Sequence, residues 1–268
     1  MSDSLYVELR ARIRAEQPVC LATIIDGIDV GAKLLIEPGA APLGSFGDPE
    51  LDRIVLRDAL AELEAGRSGI RHYGPHGETT PEDLVDTPVV RVFIETWAPP
   101  PQMWIFGAVD FTAALAKVAK VLGYRVTVCD AREVFATRRR FPMADEVVVS
   151  WPGKLFENRG TTLTGRDAVC ILTHDSKFDV PAVRGAVGTN VGYIGIMGSR
   201  TTHDKRLERL RDAGLDDTDL GRLMSPIGLD IGARTPEETA ISICAEIIAT
   251  RTGRVAPSLR DGSGPIHA

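Results

Sequence analysis

The chain has 268 residues, 44% of them hydrophobic and 25% charged, with 31 Lys and Arg against 37 Asp and Glu for a formal charge of −6. This composition excludes a disordered, collagen-like or membrane-bundle chain. The acidic balance gives no long-range pull on a phosphate backbone, so nucleic acid is not an expected partner.

The length corresponds to about 1.8 domains of ordinary size. Residues 4–16 place Leu5, Leu9 and Ile13 four apart among charged residues, as an amphipathic helix does, and Pro18 ends it. The first twenty residues contain no continuous apolar stretch, so neither a signal peptide nor a membrane span is expected and the chain reads as cytoplasmic. Val19 to Ile25 and Lys33 to Ile36 read as strands, the first leading into an Asp26-Gly27 turn. A helix follows over 48–64, with Leu51, Ile54, Val55 and Leu60 on one side, and Val89 to Glu95 reads as a further strand. Residues 1–97 are thus expected to form a smaller α+β domain.

Trp97-Ala98-Pro99-Pro100-Pro101-Gln102 is neither helix nor central strand, because three prolines fix φ and remove three donors. The spacing predicts a stiff linker over 98–102. Beyond it the rhythm changes. Met103 to Phe106, Tyr124 to Cys129, Glu146 to Ser150, Ala168 to Thr173 and Val191 to Ile196 are short apolar runs. Helical stripes lie between or after them, over 111–122, 178–187 and 200–213. Strands apolar on both faces and separated by amphipathic helices predict an α/β, Rossmann-like parallel sheet with helices on both faces over 103–255. A last helix over 236–250 carries an N-cap at Thr235, Pro236 at its first position and Glu238 closing a capping box. Residues 256–268 read as a flexible tail.

In an open parallel sheet, ligands bind beyond the carboxyl ends of the strands. That rule selects Gly107 to Asp110, Asp130 to Arg132, Thr173 to Asp175 and Met197 to Arg200. A Gly- and Pro-rich loop, Pro226 to Gly232, is expected between two helical stretches. The first turn, Gly107-Ala108-Val109-Asp110-Phe111, lacks the second and third glycines of a dinucleotide turn. Asp110 reads as an N-cap that takes the donors a phosphate would use and repels it, which argues against NAD(P). Asp130 stands at the spacing of a ribose-binding acid, or starts a turn. His174 is a proton carrier or ligand oriented by Asp175, or an exposed histidine before a helix that Asp175 or Ser176 caps. Gly198, Ser199 and Arg200 form an anion site, or a plain cap beside a solvated arginine. Lys205, Arg206, Arg209 and Arg211 read as a solvated helix face, and Arg138 to Arg140 as a loop surface. Cys20, Cys129, Cys170 and Cys244 form no CxxC pair and read as buried, reduced thiols. No catalytic nucleophile or metal cluster is expected.

The segments YRVTVCDAREVFATRRRFPMADEV, VCILTHDSKFDVPAV, YIGIMGSRTTHDKRLERL and SPIGLDIGARTPEETAISICAEIIA, in this order, resemble the C-terminal Rossmann domain of the XdhC/CoxI family. Residues before the linker resemble that family's smaller domain more loosely. The family comprises accessory proteins of xanthine dehydrogenase and carbon monoxide dehydrogenase. The resemblance implies a chaperone that binds the molybdenum cofactor (a molybdopterin), presents it for sulfuration to a sulfurase, and helps insert it into a molybdenum hydroxylase. It also implies a homodimer. The implied site is a cleft between the domains. There His174, Asp175, Ser199 and Arg200 are the polar groups, Gly107, Ala108, Gly198 and Gly228 allow backbone approach, and Asp130 adds a cofactor contact.

Two departures stand out. Where the family usually carries Gly-Gly-Gly-Cys, this chain has Gly44-Ser45-Phe46-Gly47-Asp48-Pro49-Glu50; where it has Gly-Ala-Gly-His-Val, this chain has Gly107-Ala108-Val109-Asp110-Phe111. Two further readings follow: an NAD(P)-dependent oxidoreductase using His174 as proton donor, and an assembly partner of a dehydrogenase that has lost cofactor binding.

Overall fold

The computed structural model describes residues 2–74, 90–173 and 175–261. The chain divides into two compact units, Met1–Pro99 and Pro100–Ala268. Among the described residues no helix is long and apolar enough to cross a membrane.

In the first unit, α1 (Ser2–Arg14) precedes β1 (Val19–Asp26), β2 (Lys33–Ile36) and β3 (Leu43–Gly44), then α2 (Pro49–Ala65), β4 (Gly69–Tyr73) and β5 (Val90–Trp97). The strands form an antiparallel sheet in the order β3-β2-β1-β5-β4. Asp48 caps α2 by accepting from Glu50 and Leu51 N–H, and Gly66 ends it in the left-handed conformation. The helix buries Leu51, Val55, Ala59 and Leu63 against Cys20, Ala22, Ile24, Val92 and Ile94. The expected stripe was partly misplaced: Ile54 and Leu60 pack only at its rim, because the four-residue spacing runs through Ala59 and Leu63. β3 and β4 were not foreseen; β5 runs on to Trp97 and β6 begins at Gln102, so only 98–101 lie between the two strands.

The second unit contains β6 (Gln102–Phe106), α3 (Asp110–Val121), β7 (Arg125–Asp130), β8 (Glu146–Val149), α4 (Pro152–Arg159), β9 (Ala168–Ile171), α5 (Ser176–Val187), β10 (Tyr193–Ile196), α6 (Arg200–Asp212), α7 (Asp217–Gly221), β11 (Leu223–Met224) and α8 (Pro236–Thr252). The six strands are parallel, in the order β11-β10-β9-β6-β7-β8. This is the Rossmann-like architecture read from the sequence, and strand order reverses between β6 and β9.

The apolar runs work because successive side chains serve opposite faces. Met103 and Ile105 enter the core made with α3 and α8, whereas Trp104 and Phe106 enter the core made with α4 and α5. Phe156 of α4 lies with its ring centroid 5.4 Å from that of Trp104 and 5.3 Å from that of Phe106. A Cβ on Gly185 of α5 would fall 2.1 Å from the Phe156 ring, so these two helices meet at a glycine.

The capping box at Thr235 and Glu238 is present as read, and α8 packs Ala240, Ile243, Cys244 and Ile247 into the core beside α3. The loop from Pro226 to Gly232 does not lie between two helices, because the two-residue strand β11 precedes it. In urea unfolding, Thr235→Ala should lower stability by about 1 kcal/mol through loss of the oxygen that accepts Glu238 N–H. An unchanged midpoint would mean that Pro236 and Glu238 hold this helix start without it.

Candidate functional site

At the carboxyl edge of the parallel sheet, the first turn after β6 is closed by its own neighbours. Gly107 has φ 110°, and a Cβ there would lie 2.6 Å from Thr173 Cγ2 and 3.2 Å from Thr173 N. Thr173 therefore demands this glycine directly. Ala108 N–H donates to Asp130 Oδ2 at 2.8 Å, and Ala108 O accepts from Arg140 Nη1 at 3.0 Å. The Thr112 hydroxyl donates to Gly107 O.

Asp110 is not the N-cap. Val109 holds that position with φ −112° and ψ 173° and has no side-chain cap, while Asp110 is the first helical residue. The Asp110 carboxylate, 90% exposed, faces Arg140 at 3.5 Å. Arg140 is thus a structural part of this turn rather than a loop-surface charge, and Arg138 likewise donates to Ala144 O and to Asp145 O.

Asp130, the last residue of β7, has 3% of its side chain exposed. Burial works against its charge, but bonds from the Arg132 guanidinium, Ala108 N–H and Arg132 N–H outweigh it and hold the carboxyl below its ordinary range. Arg132 Nε donates to Oδ1 at 3.0 Å and Nη2 to Oδ2 at 2.9 Å. Asp130, which the sequence offered as a ribose-binding acid or a turn starter, joins the β6 and β7 loops through these bonds.

A second network joins the ends of β9, β10 and β11. The buried Thr173 hydroxyl donates to Asp179 of α5. Asp179 pairs with Arg206 of α6 at 3.3 Å, each with 5% side-chain exposure. Arg206 also donates to Met197 O at 2.9 Å and to Ser225 Oγ at 3.4 Å. The reading of Arg206 as part of a solvated face was wrong: it stands four residues before the buried Leu210 and shares its stripe. Asp175 caps α5, its carboxylate accepting from Lys177 N–H at 2.9 Å. His174 lies outside the described residues.

Gly198 and Ser199 connect β10 to α6, and Ser199 O accepts from His203 N–H at 2.9 Å. Arg200 opens α6; its side chain lies outside the described residues. His203 Nδ1, in the first turn of α6, is a buried ring nitrogen without a hydrogen-bond partner among the described residues. Sequence reading missed it because a histidine among charged neighbours carries no periodic signal. Gly228 has φ 94°, and a Cβ there would lie 2.5 Å from Ser242 Oγ of α8. Its N–H donates at 2.8 Å to Glu246 Oε2, which also accepts from Tyr193 Oη at 2.5 Å. Gly228 makes a close approach to α8.

The structure thus brings together Gly107, Ala108 and Asp130. It links Thr173, next to His174 and Asp175, with the Met197–Ser199 turn through Asp179 and Arg206. Gly228 lies against α8, one residue after Ile227, whose N–H donates to Ile196 O at the end of β10.

In the first unit, the loop that replaces the family's cysteine segment bonds to itself. Ser45 Oγ donates to Asp52 Oδ2 at 2.7 Å, Phe46 N–H to Asp52 Oδ1 at 2.8 Å and Gly47 N–H to Ser45 Oγ at 2.9 Å. All four cysteines are buried and unpaired, as read. Burial pushes the Cys20 and Cys129 thiols up to about 12 and Cys244 to about 11, which removes thiolate chemistry near neutral pH. Among the described residues no group of His, Cys, Asp and Glu is arranged to hold a metal ion.

Residues 103–247 match the family described as XdhC Rossmann domain, and residues 12–74 match the XdhC and CoxI family. The sequence is 33% identical, over 161 residues, to a probable xanthine dehydrogenase subunit of Bacillus subtilis (strain 168), covering 60% of this chain and 46% of that protein. It is 25% identical over 246 residues to the uncharacterized protein YqeB of Escherichia coli (strain K12), covering 87% of this chain and 44% of that one. A shorter match, 31% identical over 84 residues, joins it to the molybdenum cofactor insertion chaperone PaoD of the same organism, covering 31% of this chain and 26% of PaoD. The chain spans less than half the length of these curated relatives. A crystal structure of a xanthine dehydrogenase from Bacillus halodurans superposes with a TM-score of 0.52 at 22% identity, covering 94% of this chain and 97% of that one, which is a likeness of fold.

Two measurements check these networks. Arg206→Met leaves Asp179 charged and buried, and should cost about 3–5 kcal/mol in urea unfolding. The double variant with Asp179→Asn should cost less than the two single variants added together, whereas strict additivity would show the pair to be uncoupled. Because the folded state holds the Asp130 carboxyl below its ordinary range, its stabilisation is complete above that range and is lost as pH falls through the lowered value. Asp130→Asn should flatten the loss of thermal stability on acidification; equal acid sensitivity of both proteins would remove Asp130 from that role.

Proposed function

Because the chain belongs to the XdhC and CoxI family, we propose that it is an accessory protein of a molybdenum hydroxylase, of the xanthine or carbon monoxide dehydrogenase type, which holds the molybdenum cofactor for insertion into that enzyme. The observation that carries this reading is the family match over 103–247, which takes in the carboxyl-edge loops of the parallel sheet. The names of two relatives point the same way: one names a xanthine dehydrogenase, the other a molybdenum cofactor insertion chaperone.

The chemistry of the edge favours one position for an anionic pterin phosphate. The first turn does not suit it, because the Ala108 N–H is occupied by Asp130 and the exposed Asp110 carboxylate opposes a second negative charge. The turn from β10 into α6 does suit it. It offers the start of a thirteen-residue helix, Ser199, and a His203 Nδ1 with no hydrogen-bond partner among the described residues. Ser199, His203 and the backbone N–H groups at the start of α6 would hold the phosphate, with Arg200 and His174 as further contacts. Asp179 and Arg206 would keep this turn in register with Thr173. When bound, the cofactor supplies the molybdenum centre that the recipient enzyme uses; this chain binds, orients and shields it.

The same first-turn geometry weighs against an NAD(P)-dependent oxidoreductase. The self-bonded loop at Ser45 to Asp52 favours the other reading, an assembly partner without cofactor. Protein purified from a molybdenum-replete host separates the two. On the proposed reading it retains molybdenum and restores activity to a hydroxylase lacking cofactor, and Ser199→Ala together with Arg200→Ala lowers retention at least tenfold, as expected on the order of 1.4 kcal/mol per decade. Absence of both retention and transfer would sink it. Stable capture of the hydroxylase by metal-free protein would favour the assembly partner.

A further inference from the structure

The loop after β7 builds a flat surface that the fold does not use. Arg132 is held along its edge by both carboxylate oxygens of Asp130, at 3.0 and 2.9 Å. Its Cζ lies over the Phe135 ring, 4.6 Å from the centroid. Arg140 flanks the same ring at 5.5 Å. A guanidinium bonded along one edge and set over a ring is restrained in orientation, yet 57% of the Arg132 side chain remains exposed.

Phe135 is itself 41% exposed. A second exposed aromatic, Trp151 at 56%, follows Ser150, whose N–H donates to Asp130 O at the end of the neighbouring strand.

The charge balance selects the ligand. Asp130 neutralises Arg132, Asp175 lies within electrostatic reach of it, and the Asp110 carboxylate stands exposed beside Arg140. An isolated anion gains little here. A neutral planar ring gains dispersion and cation–π attraction from a surface that is already ordered.

We infer that the open face of Arg132, backed by Phe135, is a stacking site for one planar heteroaromatic ring of the pterin or nucleobase class. In assigning that ring to the cofactor the inference rests on the accessory-protein reading; the stacking site itself stands on the Asp130–Arg132–Phe135 geometry. It places the flat part of the ligand at the end of β7 and leaves its anionic part to the turn before α6.

The test uses the full-length protein and probes without phosphate or metal: free pterin, cytidine and guanosine, with inorganic phosphate as the comparison. Binding is read from pterin fluorescence and tryptophan emission. The ring compounds should bind and phosphate should not compete with them. Arg132→Lys, which keeps the charge beside Asp130 but removes the plane, should weaken ring binding about tenfold, and Phe135→Ala should do the same. Far-UV circular dichroism of the Lys variant establishes that it is folded.

Absence of ring binding, or equal affinity in the wild type and both variants, overturns the stacking site. So does a result in which Arg132→Lys alters only association with the molybdenum enzyme, since the face would then be a protein contact. If molybdenum is retained while the ring test fails, the accessory reading survives and the stacking site falls. If ring binding depends on Arg132 in a protein that never retains molybdenum, the stacking site survives and the accessory reading falls.

Discussion

A carboxylate with 3% of its side chain exposed must collect donors or lose its charge, and Asp130 collects them from both sides of the β6–β7 pair. From one side comes the Ala108 N–H, from the other the backbone and guanidinium of Arg132. Because Ala108 belongs to the turn where a parallel α/β sheet ordinarily receives phosphate, the need of one buried acid decides what the edge can accept. Its carboxylate occupies the donor that a pyrophosphate would use. Arg140 completes the closure by bonding Ala108 O on the other side of the same residue.

The opposite half of the edge follows a different rule. Its loops are short, and two of the strands they leave, β10 and β11, hold four and two residues. So little backbone pairing cannot fix three chain reversals. The Asp179–Arg206 pair supplies the missing constraint, because one guanidinium bonds Met197 O and Ser225 Oγ while its carboxylate partner holds Thr173. Desolvating two charges is costly, and such a pair seldom adds net stability over apolar packing. What it adds here is register: each of its bonds ends on a different loop of the edge.

Much of this fold was legible because its signals are repetitive. Strands apolar on both faces, such as Met103 to Phe106, can only sit between two layers of helices, and the capping box at Thr235 and Glu238 is local chemistry with one outcome. Signals that depend on a distant partner were not legible. Leu223–Met224 is too short to show a period, and it becomes a strand only through pairing with β10. Asp110 looks like a cap, but the backbone turns helical one residue earlier than that role requires, so Val109 takes the position and Asp110 turns to Arg140. Arg206 looks solvated in a helix where charges alternate in sign, and only the apolar Leu210 four residues on marks its face as buried. The site residues shared this weakness. Gly107 and Gly228 were read as allowing backbone approach to a ligand; the atoms that crowd them belong to Thr173 and Ser242, which no local pattern announces.

These two halves also differ in what they leave unsatisfied, and that difference gives the edge a direction. Around Asp130 the polar atoms are paired and the surplus is flat surface, on Arg132 and Phe135. Around α6 the unpaired polar atom among the described residues is the His203 ring nitrogen. On the proposed reading, a ligand with a planar end and an anionic end would lie with its ring toward β7 and its charge toward α6. A ligand whose anionic centre must sit at the first turn, as a dinucleotide's does, meets Asp130 and Asp110 there. On the proposed reading, discrimination between the two would come less from attractive contacts than from where the chain has already committed its own carboxylates.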